Sequence, residues 1–261
     1  MIITEGFVYI HLPKTGGSFV ENVLNRLYRD QPGMFVDTAT SEGRAWVGSG
    51  TDQHQTVGEI PASYRNLPVL FTVRNPFDHH VSFYEFGWWK THPGDTFNET
   101  LIRRALPHYP ELSFTEYLEA FYDWQLLHPD HYPGGLEERL ATAGIGPLSW
   151  EYLRFLFDDP KRQIEVWSNR ESDTQFIPAL NQVHFLRQDR LNRDLHDFLL
   201  GMGHSRASLD FILEMPRIYP DTKAPRRASR DWATYYTAAL LALVRRREAW
   251  LFTLLPQYDK C

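Results

Sequence analysis

A short apolar run that ends in a glycine-rich turn is the feature that most restricts how this chain can fold. Residues Phe7–Leu12 (FVYIHL) are rich in β-forming side chains and stop at Pro13, which predicts a buried strand. Residues 13–17 have the composition of a turn, and from Ser18 the apolar residues follow helical spacing. Strand, glycine turn and helix in this order open an α/β nucleotide-binding fold.

Further apolar runs predict the other strands of a parallel sheet. Pro68–Val73 (PVLFTV) is continuously apolar, as in strands covered on both faces, and strands are also expected at Gln163–Trp167 and Val183–Arg187. Helical spacing is expected from Pro76 to Trp88 and at Phe97–Leu106, Phe114–Trp124, Trp150–Phe157, Arg193–Met202, Ala207–Glu214 and Asp231–Leu254. We therefore expect an α/β, P-loop-like three-layer fold, with a central parallel sheet flanked by helices and a helical insertion in the middle.

Length and composition restrict the class of protein. A chain of 261 residues is within reach of one hydrophobic core, so we expect a single domain over 1–261. The net charge of −6 argues against a general nucleic-acid binder. Cys261 is the only cysteine, so neither an intrachain disulfide nor a thiolate metal cluster is expected. The start has no secretory-signal pattern and no run is long enough to span a bilayer, so we expect a soluble, cytoplasmic protein.

The glycine turn has the composition of an anion-binding loop. Gly16 and Gly17 let the backbone approach a ligand closely, and the positive end of the following helix points to the same place. Lys14 supplies a charge, while Thr15 and Ser18 supply hydroxyl donors. The lysine precedes the glycines, whereas in a Walker loop it follows the last glycine.

Arg74 and Ser82 form a second candidate element for binding phosphate. Arg74 stands at the exit of the second predicted strand, and Ser82 lies two turns into the helix that follows. A guanidinium gives bidentate contact to a phosphate, and the hydroxyl adds a hydrogen bond. Because ligands of parallel sheets bind at the carboxyl ends of the strands, we expect Arg74 and the glycine turn on one rim.

With these two segments the chain resembles the sulfotransferase superfamily, within it the branch of heparan sulfate 2-O-sulfotransferase and many bacterial relatives. In that family a PKTGG[ST]-type loop binds the 5′-phosphosulfate of 3′-phosphoadenosine 5′-phosphosulfate (PAPS), and Lys14 to Ser18 match it. An R-[NK]-P-x-[DE]-R-x-x-S-x-[YF] segment binds the 3′-phosphate there, and Arg74, Ser82 and Tyr84 match it. The resemblance implies a PAPS-dependent sulfotransferase, whose product is adenosine 3′,5′-bisphosphate.

The chain departs from the family pattern at two positions. Phe19 follows Ser18 where the family often has a second hydroxyl residue, and His79 stands where it usually has Arg. These changes weaken or redirect donor contacts, but the principal ligands remain. We expect His79 and His80 beside the donor site, where either could assist with phosphate, and interpret His11, on the first strand, as structural.

Sulfuryl transfer needs charge stabilisation on the leaving phosphate and a base for the acceptor hydroxyl. Lys14 suits the first task. Histidine suits the second, and His54 lies between the two phosphate elements in the sequence. The resemblance adds that residues 53–60 (QHQTVGEI) are similar to the segment that carries the base in this branch. Asp52 or Glu59 is the alternative base, because other branches use a carboxylate.

The remaining positions concern the far end of the donor and the acceptor. Family members carry basic residues before the last helix that cover the 3′-phosphate, and the candidates here are Lys223, Arg226 and Arg227. We expect an acceptor, a small molecule or saccharide, along the helical region 91–160 and against Trp88, Trp89 and His92, because aromatic rings suit sugars and flat or lipidic molecules. No metal is expected, because the chain has no ligand spacing such as H-E-x-x-H.

Two other functions stay open on the sequence. A P-loop kinase-like, ATP-dependent phosphotransferase shares the α/β core, although the Walker lysine position and a clear Mg²⁺-binding Asp after a strand are missing. A non-catalytic nucleotide- or glycan-binding member of the same fold would keep the loop without the chemistry.

Overall fold

The computed structural model describes residues 1–28, 35–36, 54–128, 136–169, 182–218 and 231–260. The strands in these ranges are β1 (Ile2–Thr4), β2 (Val8–Ile10), β3 (Phe35–Val36), β4 (Val69–Val73) and β5 (Val183–Arg187). The helices are α1 (Gly17–Tyr28), α2 (Pro76–Phe86), α3 (Trp88–Thr91), α4 (Glu99–Ala105), α5 (Phe114–Phe121), α6 (Leu136–Ala143), α7 (Pro147–Leu156), α8 (Pro160–Ser168), α9 (Leu191–Gly201), α10 (Arg206–Leu209), α11 (Phe211–Glu214), α12 (Ala238–Arg247) and α13 (Ala249–Leu254).

Many of the predicted elements are present: β5 has the predicted bounds, β2, β4 and α2 are shorter than predicted, and α7 begins three residues earlier. The apolar runs beginning at Phe7, Pro68 and Val183 form β2, β4 and β5, and the α/β class is confirmed. All five residues of β4 are buried, as a continuously apolar run predicts. The predicted helix 207–214 forms two short helices, α10 and α11.

The sheet is mixed, and the prediction of a parallel sheet is correct only for β2, β4 and β5. Its order is β3-β1-β2-β4-β5. β2, β4 and β5 run parallel, whereas β1 pairs antiparallel with both β2 and the two-residue β3. A tight turn joins β1 to β2, in which the Thr4 hydroxyl accepts from the backbone N–H groups of Gly6 and Phe7. Such a short connection can only join antiparallel strands.

The chain divides into two compact units, each discontinuous in sequence. The first, here called the sheet unit, consists of Met1–Arg74, Arg154–Asp159 and Ile177–Thr222. The second, the helical unit, consists of Asn75–Leu153, Pro160–Phe176 and Lys223–Cys261. Within the described ranges, no helix has both the length and the apolar character needed to cross a bilayer.

In the core of the sheet unit, one face of the sheet packs against helices. Tyr9, Leu70 and Leu186 come from three adjacent strands and belong to one buried cluster with residues of α1 and α9, among them Val23, Leu24, Leu195 and Leu199. Each fully buried large apolar side chain contributes roughly 1.5–3 kcal/mol. This packing holds the carboxyl ends of β2, β4 and β5 in place relative to the start of α1.

The helix predicted from Pro76 is α2, and the reasons for its bounds are local. Pro76 stands in its first turn, and the side chain of Asn75 caps it by accepting from the N–H of Phe77 at 3.0 Å. Gly87 ends the helix at Phe86, before the predicted end at Trp88, because it adopts the left-handed conformation with φ of 68°.

The predicted strand at Gln163–Trp167 is wrong, since these residues lie in α8. Pro160 is the first residue of this helix, a position that proline favours. Ile164 and Trp167, one helical turn apart, are buried, whereas Val166 is exposed. The alternation of apolar and polar residues resembled a strand, but burial follows the helical period.

The long helix predicted from Asp231 to Leu254 is interrupted. A single 3₁₀ turn at Trp232–Tyr235 precedes α12, and α13 begins after Glu248. The Glu248 side chain is buried, and its carboxylate accepts from the backbone N–H of Ser149 at 2.8 Å and from that of Leu148 at 3.3 Å. These donors belong to the first turn of α7, so the break brings the carboxylate to a helix N-terminus.

Candidate functional site

The structure brings Lys14 and Arg74 together in the sheet unit. β2 and β4 are parallel neighbours, with Ile10 opposite Phe71, so the residues that follow them leave the sheet at the same edge. Nη1 of Arg74 donates to the carbonyl oxygen of Lys14 at 2.8 Å. This hydrogen bond ties the glycine turn to the end of β4.

The backbone of the turn places helix N–H groups at the same edge. Lys14 and Gly16 adopt left-handed conformations, with φ of 63° and 101°. A non-glycine residue in this conformation costs on the order of 1 kcal/mol, and such outliers concentrate at functional sites. α1 begins immediately afterwards at Gly17, and the N–H groups of its first turn have no acceptor within the helix. A left-handed turn leading into a helix N-terminus is a binding site for anions.

Two positive side chains lie close to each other at this turn. Burial and, to a smaller extent, the charge of Arg74 together lower the pKa of Lys14 from 10.5 to about 8. The free protein therefore keeps two cations together at an energetic cost. A bound anion would offset this cost, because it attracts both cations.

The Thr15 hydroxyl has a structural role, although the sequence predicts it to donate a hydrogen bond to a ligand. Thr15 is fully buried, and its Oγ1 donates to the carbonyl oxygen of Leu12 at 2.7 Å. It also lies 2.6 Å from Oγ1 of Thr72 on β4, which is 3.4 Å from the hydroxyl of Tyr9. The single Thr15 proton is thus used inside the protein. Ser18 is half-buried, and no described residue hydrogen-bonds its hydroxyl, which leaves it suited to a ligand.

Close neighbours leave no space for a side chain at either glycine of the turn. A Cβ at Gly16 would lie 2.6 Å from Cδ2 of Leu191, in addition to the positive φ. A Cβ at Gly17 would lie 1.9 Å from Nε2 of His11. The sequence suggested that the glycines admit an anion, and the structure adds that Gly17 admits an imidazole ring.

The tautomer of His54 follows from its hydrogen bond. Nδ1 of His54 lies 3.1 Å from the carbonyl oxygen of His11. A carbonyl can only accept, so Nδ1 carries the proton and, in the neutral ring, Nε2 does not. Burial lowers the pKa of His54, which keeps the ring neutral near pH 7. Since three residues of chain span at most about 11 Å, the His11 carbonyl also lies near Lys14.

His11 and Glu21 form a pair that the sequence did not indicate. Nδ1 of His11 lies 2.6 Å from Oε1 of Glu21, on the second turn of α1. The His11 ring is buried and meets the His54 ring edge-on, with centroids 4.8 Å apart. The ten-residue separation of His11 and Glu21 crosses a turn, so sequence spacing offered no signal for this contact.

The carboxylate of Glu59, an alternative base, is hydrogen-bonded within its own turn. Its carboxylate accepts from the backbone N–H of Thr56 at 2.6 Å and from the Thr56 hydroxyl at 2.9 Å, which caps the 3₁₀ turn Val57–Glu59. Glu59 is exposed. Asp52, the other alternative, lies outside the described residues.

The second phosphate element is divided between the two units. Arg74 ends the first segment of the sheet unit, and Ser82, on α2, belongs to the helical unit together with Tyr84. Binding of one phosphate by Arg74 and Ser82 stays a prediction. Lys223, Arg226 and Arg227 lie outside the described residues.

His79 and His80 are core residues of the helical unit, which corrects their expected place beside the donor. Both are fully buried. Nδ1 of His79 lies 3.3 Å from the hydroxyl of Tyr152, and Nε2 of His80 lies 2.8 Å from that of Tyr122. Burial lowers the pKa of His80 to about 3, so it is neutral. Neither ring is accessible to a ligand in this structure.

The three predicted acceptor residues divide into a surface pair and a core residue. Trp88 is 44% exposed and stacks on His92 with ring centroids 3.6 Å apart. Trp89 is only 2% exposed and packs among Phe97, Tyr109 and Tyr117, so its ring belongs to the core rather than to a groove.

A cavity of about 700 Å³ opens elsewhere on the helical unit. Its lining comprises Glu119, Tyr122, Asp123, Trp124, Gln125, Glu137, Glu138, Ala141, Leu243 and Arg247. Most of these residues fall in the region 91–160 that the sequence assigns to the acceptor, but the surface pair Trp88 and His92 does not line it.

No protein-family model matches the chain, and no curated protein matches it at a significant level. Among the residues that the structure describes, no group of three or more His, Cys, Asp or Glu side chains is arranged to hold a metal ion.

Proposed function

We propose that the protein is a sulfotransferase that moves a sulfuryl group from PAPS to the hydroxyl of an acceptor. The observation that carries the proposal is the turn in which Lys14 and Gly16 are left-handed, the Lys14 carbonyl is held by Arg74, and α1 begins at the next residue. Such a turn presents backbone N–H groups and the cation of Lys14 to an anion. The sulfotransferase resemblance of the sequence and the P-loop-like three-layer fold are part of the same proposal.

Lys14 and the first turn of α1 would hold the 5′-phosphate of the donor. During transfer, the bond between sulfur and the bridging oxygen breaks, and negative charge grows on the phosphate that leaves. Donors that are already in place stabilise this charge without reorganisation. The left-handed backbone at Lys14 and its hydrogen bond to Arg74 supply this rigidity.

His54 would act as the general base. Its Nε2 accepts the proton of the acceptor hydroxyl while the hydroxyl oxygen forms a bond to sulfur. The electron pair of the broken sulfur–oxygen bond leaves with adenosine 3′,5′-bisphosphate, and the proton remains on His54 until solvent removes it. A neutral ring with Nδ1 protonated, as the His11 carbonyl requires, is the form that this step needs.

The remaining roles complete the proposal. Arg74 and Ser82 would bind the 3′-phosphate, with one or more of Lys223, Arg226 and Arg227 covering it. The acceptor would be a saccharide, a glycolipid or a secondary metabolite. The stacked pair Trp88 and His92 would contact it, because exposed aromatic faces suit sugars.

The test of the proposed base is the variant His54→Ala. Incubation with PAPS and a panel of hydroxyl acceptors, with release of adenosine 3′,5′-bisphosphate as the readout, should show a rate loss on the order of 10²–10⁴. The affinity for the bisphosphate should stay unchanged. His184→Ala is the matched control, because this histidine is exposed on β5 of the same unit. Equal rates for the two variants would remove His54 from the mechanism.

A phosphotransferase is the second candidate function, because a left-handed turn before a helix binds phosphates of any nucleotide. The two functions differ in the ligand that stabilises the fold. A sulfotransferase should be stabilised against heat by adenosine 3′,5′-bisphosphate, whereas a kinase should be stabilised by ATP with Mg²⁺. Stabilisation by ATP with Mg²⁺ alone would favour the phosphotransferase over the sulfotransferase.

A further inference from the structure

The His11 ring lies at the centre of the sheet-unit site and has three neighbours. Its Nδ1 is 2.6 Å from Oε1 of Glu21. Its Nε2 lies so close to Gly17 that no larger residue fits there without movement of the ring. Its ring plane meets that of His54 at 69°, with centroids 4.8 Å apart. The ring therefore connects the start of α1 to the proposed base.

The hydrogen bonds around His11 determine where protons lie. Since a carboxylate only accepts, Nδ1 of His11 donates to Glu21. The carbonyl of His11 in turn accepts the Nδ1 proton of His54. Glu21 thereby holds the His11 ring that meets the ring of His54, and the main-chain carbonyl of residue 11 determines which nitrogen of His54 carries the proton.

Several described groups act on the pKa of His54. Burial is the largest influence and lowers it. The hydrogen bond to the His11 carbonyl and the charge of Glu21 on α1 raise it, whereas the His11 side chain and the amino terminus lower it. Glu21 thus opposes the effect of burial on this ring, together with the hydrogen bond from Nδ1 to the His11 carbonyl.

We propose that His11 and Glu21 are positioning residues for His54: the His11 carbonyl keeps Nδ1 of His54 protonated, and the His11 ring, held by Glu21, keeps the imidazole of His54 in its orientation. Their role in the reaction depends on the sulfotransferase function proposed above. Their effect on His54 itself does not, and it can be measured without a substrate.

The test uses Glu21→Gln in the full chain, with His11→Asn as a second variant in case one does not fold. Glu5→Gln is the matched control, because it removes an exposed carboxylate from the same unit. Long-range ¹H–¹⁵N spectra of the imidazole rings give the tautomer and the pKa of His54 directly. Glu21→Gln should lower the pKa of His54 relative to the control, and His11→Asn should change this pKa while Nδ1 stays protonated, because the main-chain carbonyl of residue 11 is kept.

Kinetic measurements distinguish an effect on the position of His54 from an effect on the binding of PAPS. If the donor and acceptor reaction is established, Glu21→Gln should reduce kcat by up to about 100-fold, as small misplacements of a catalytic group do, with KM for PAPS unchanged. The pH profile of kcat should move with the pKa of His54.

The two proposals fail in different ways. An unchanged pKa of His54 in both variants would overturn the positioning roles of His11 and Glu21. A changed His54 in a protein that neither binds adenosine 3′,5′-bisphosphate nor consumes PAPS would leave the positioning roles in place and overturn the sulfotransferase function.

Discussion

For the replacement of Gly17 by alanine, helix propensity and the structure predict opposite effects on the stability of the protein. Gly17 is the first residue of α1, where alanine would ordinarily stabilise the helix by up to about 1 kcal/mol. In this fold the added Cβ would lie 1.9 Å from Nε2 and 2.0 Å from Cδ2 of His11, a buried ring held by Glu21 and His54. The ring must move for the variant to fold.

The size of the effect follows from what the movement disrupts. Overpacking of a buried site costs typically 1–3 kcal/mol. Loss of a hydrogen bond to a charged group, here from His11 to Glu21, costs about 1.5–3 kcal/mol. After subtraction of the propensity gain, Gly17→Ala should destabilise the protein by roughly 2–5 kcal/mol, which lowers Tm by roughly 5–15 °C in a chain of this size.

Thermal and urea unfolding of Gly17→Ala and three further variants tests this reasoning. Gly201→Ala is the control, because a Cβ at this helical glycine meets no atom within 4 Å, and it should be neutral or slightly stabilising. His11→Ala should reduce the cost of Gly17→Ala in the double variant, since the clash is then absent. The account is refuted if Gly17→Ala is as stable as the wild type, or if its cost is the same with and without His11.

Two further predictions concern titrating groups. Since the pKa of Lys14 is about 8, the affinity for adenosine 3′,5′-bisphosphate should fall as the pH rises through this value. Lys14→Arg should keep its affinity there, and identical calorimetric pH profiles for the two proteins would contradict this. Burial raises the pKa of Glu248 above its ordinary value, so the stability that this carboxyl contributes is full below that value and is lost as the pH rises through the raised pKa. The difference in unfolding free energy between the wild type and Glu248→Gln should therefore shrink as the pH rises, and urea unfolding at several pH values would disprove this if the difference grows.

The parts of the fold that could be predicted from the sequence are those with an uninterrupted local pattern. β4 is a continuous apolar run, and α2 has Asn75, Pro76 and Gly87 at the positions that start and end helices. β1 was missed because a strand of three residues has no measurable period. α8 was mistaken for a strand because Ile164 and Val166 alternate with polar residues over a short stretch.

Tertiary contacts decided the features that no pattern indicated. Glu248 interrupts the last long helix because its carboxylate is needed at the start of α7, about a hundred residues earlier. Thr15 directs its hydroxyl inward to Thr72 of a neighbouring strand, which the composition of the loop does not reveal. The sequence did place Lys14 and Arg74 on one edge, since both follow strands of a parallel pair.

The most direct test of the central claim is calorimetric titration of the protein with adenosine 3′,5′-bisphosphate. Binding should weaken by about 10- to 100-fold in Arg74→Gln, the loss expected for one charge-assisted contact. Arg65→Gln, an exposed arginine of the same unit, should bind like the wild type. Equal binding by the two arginine variants, or no binding of the bisphosphate by a protein that binds ATP with Mg²⁺, would contradict it.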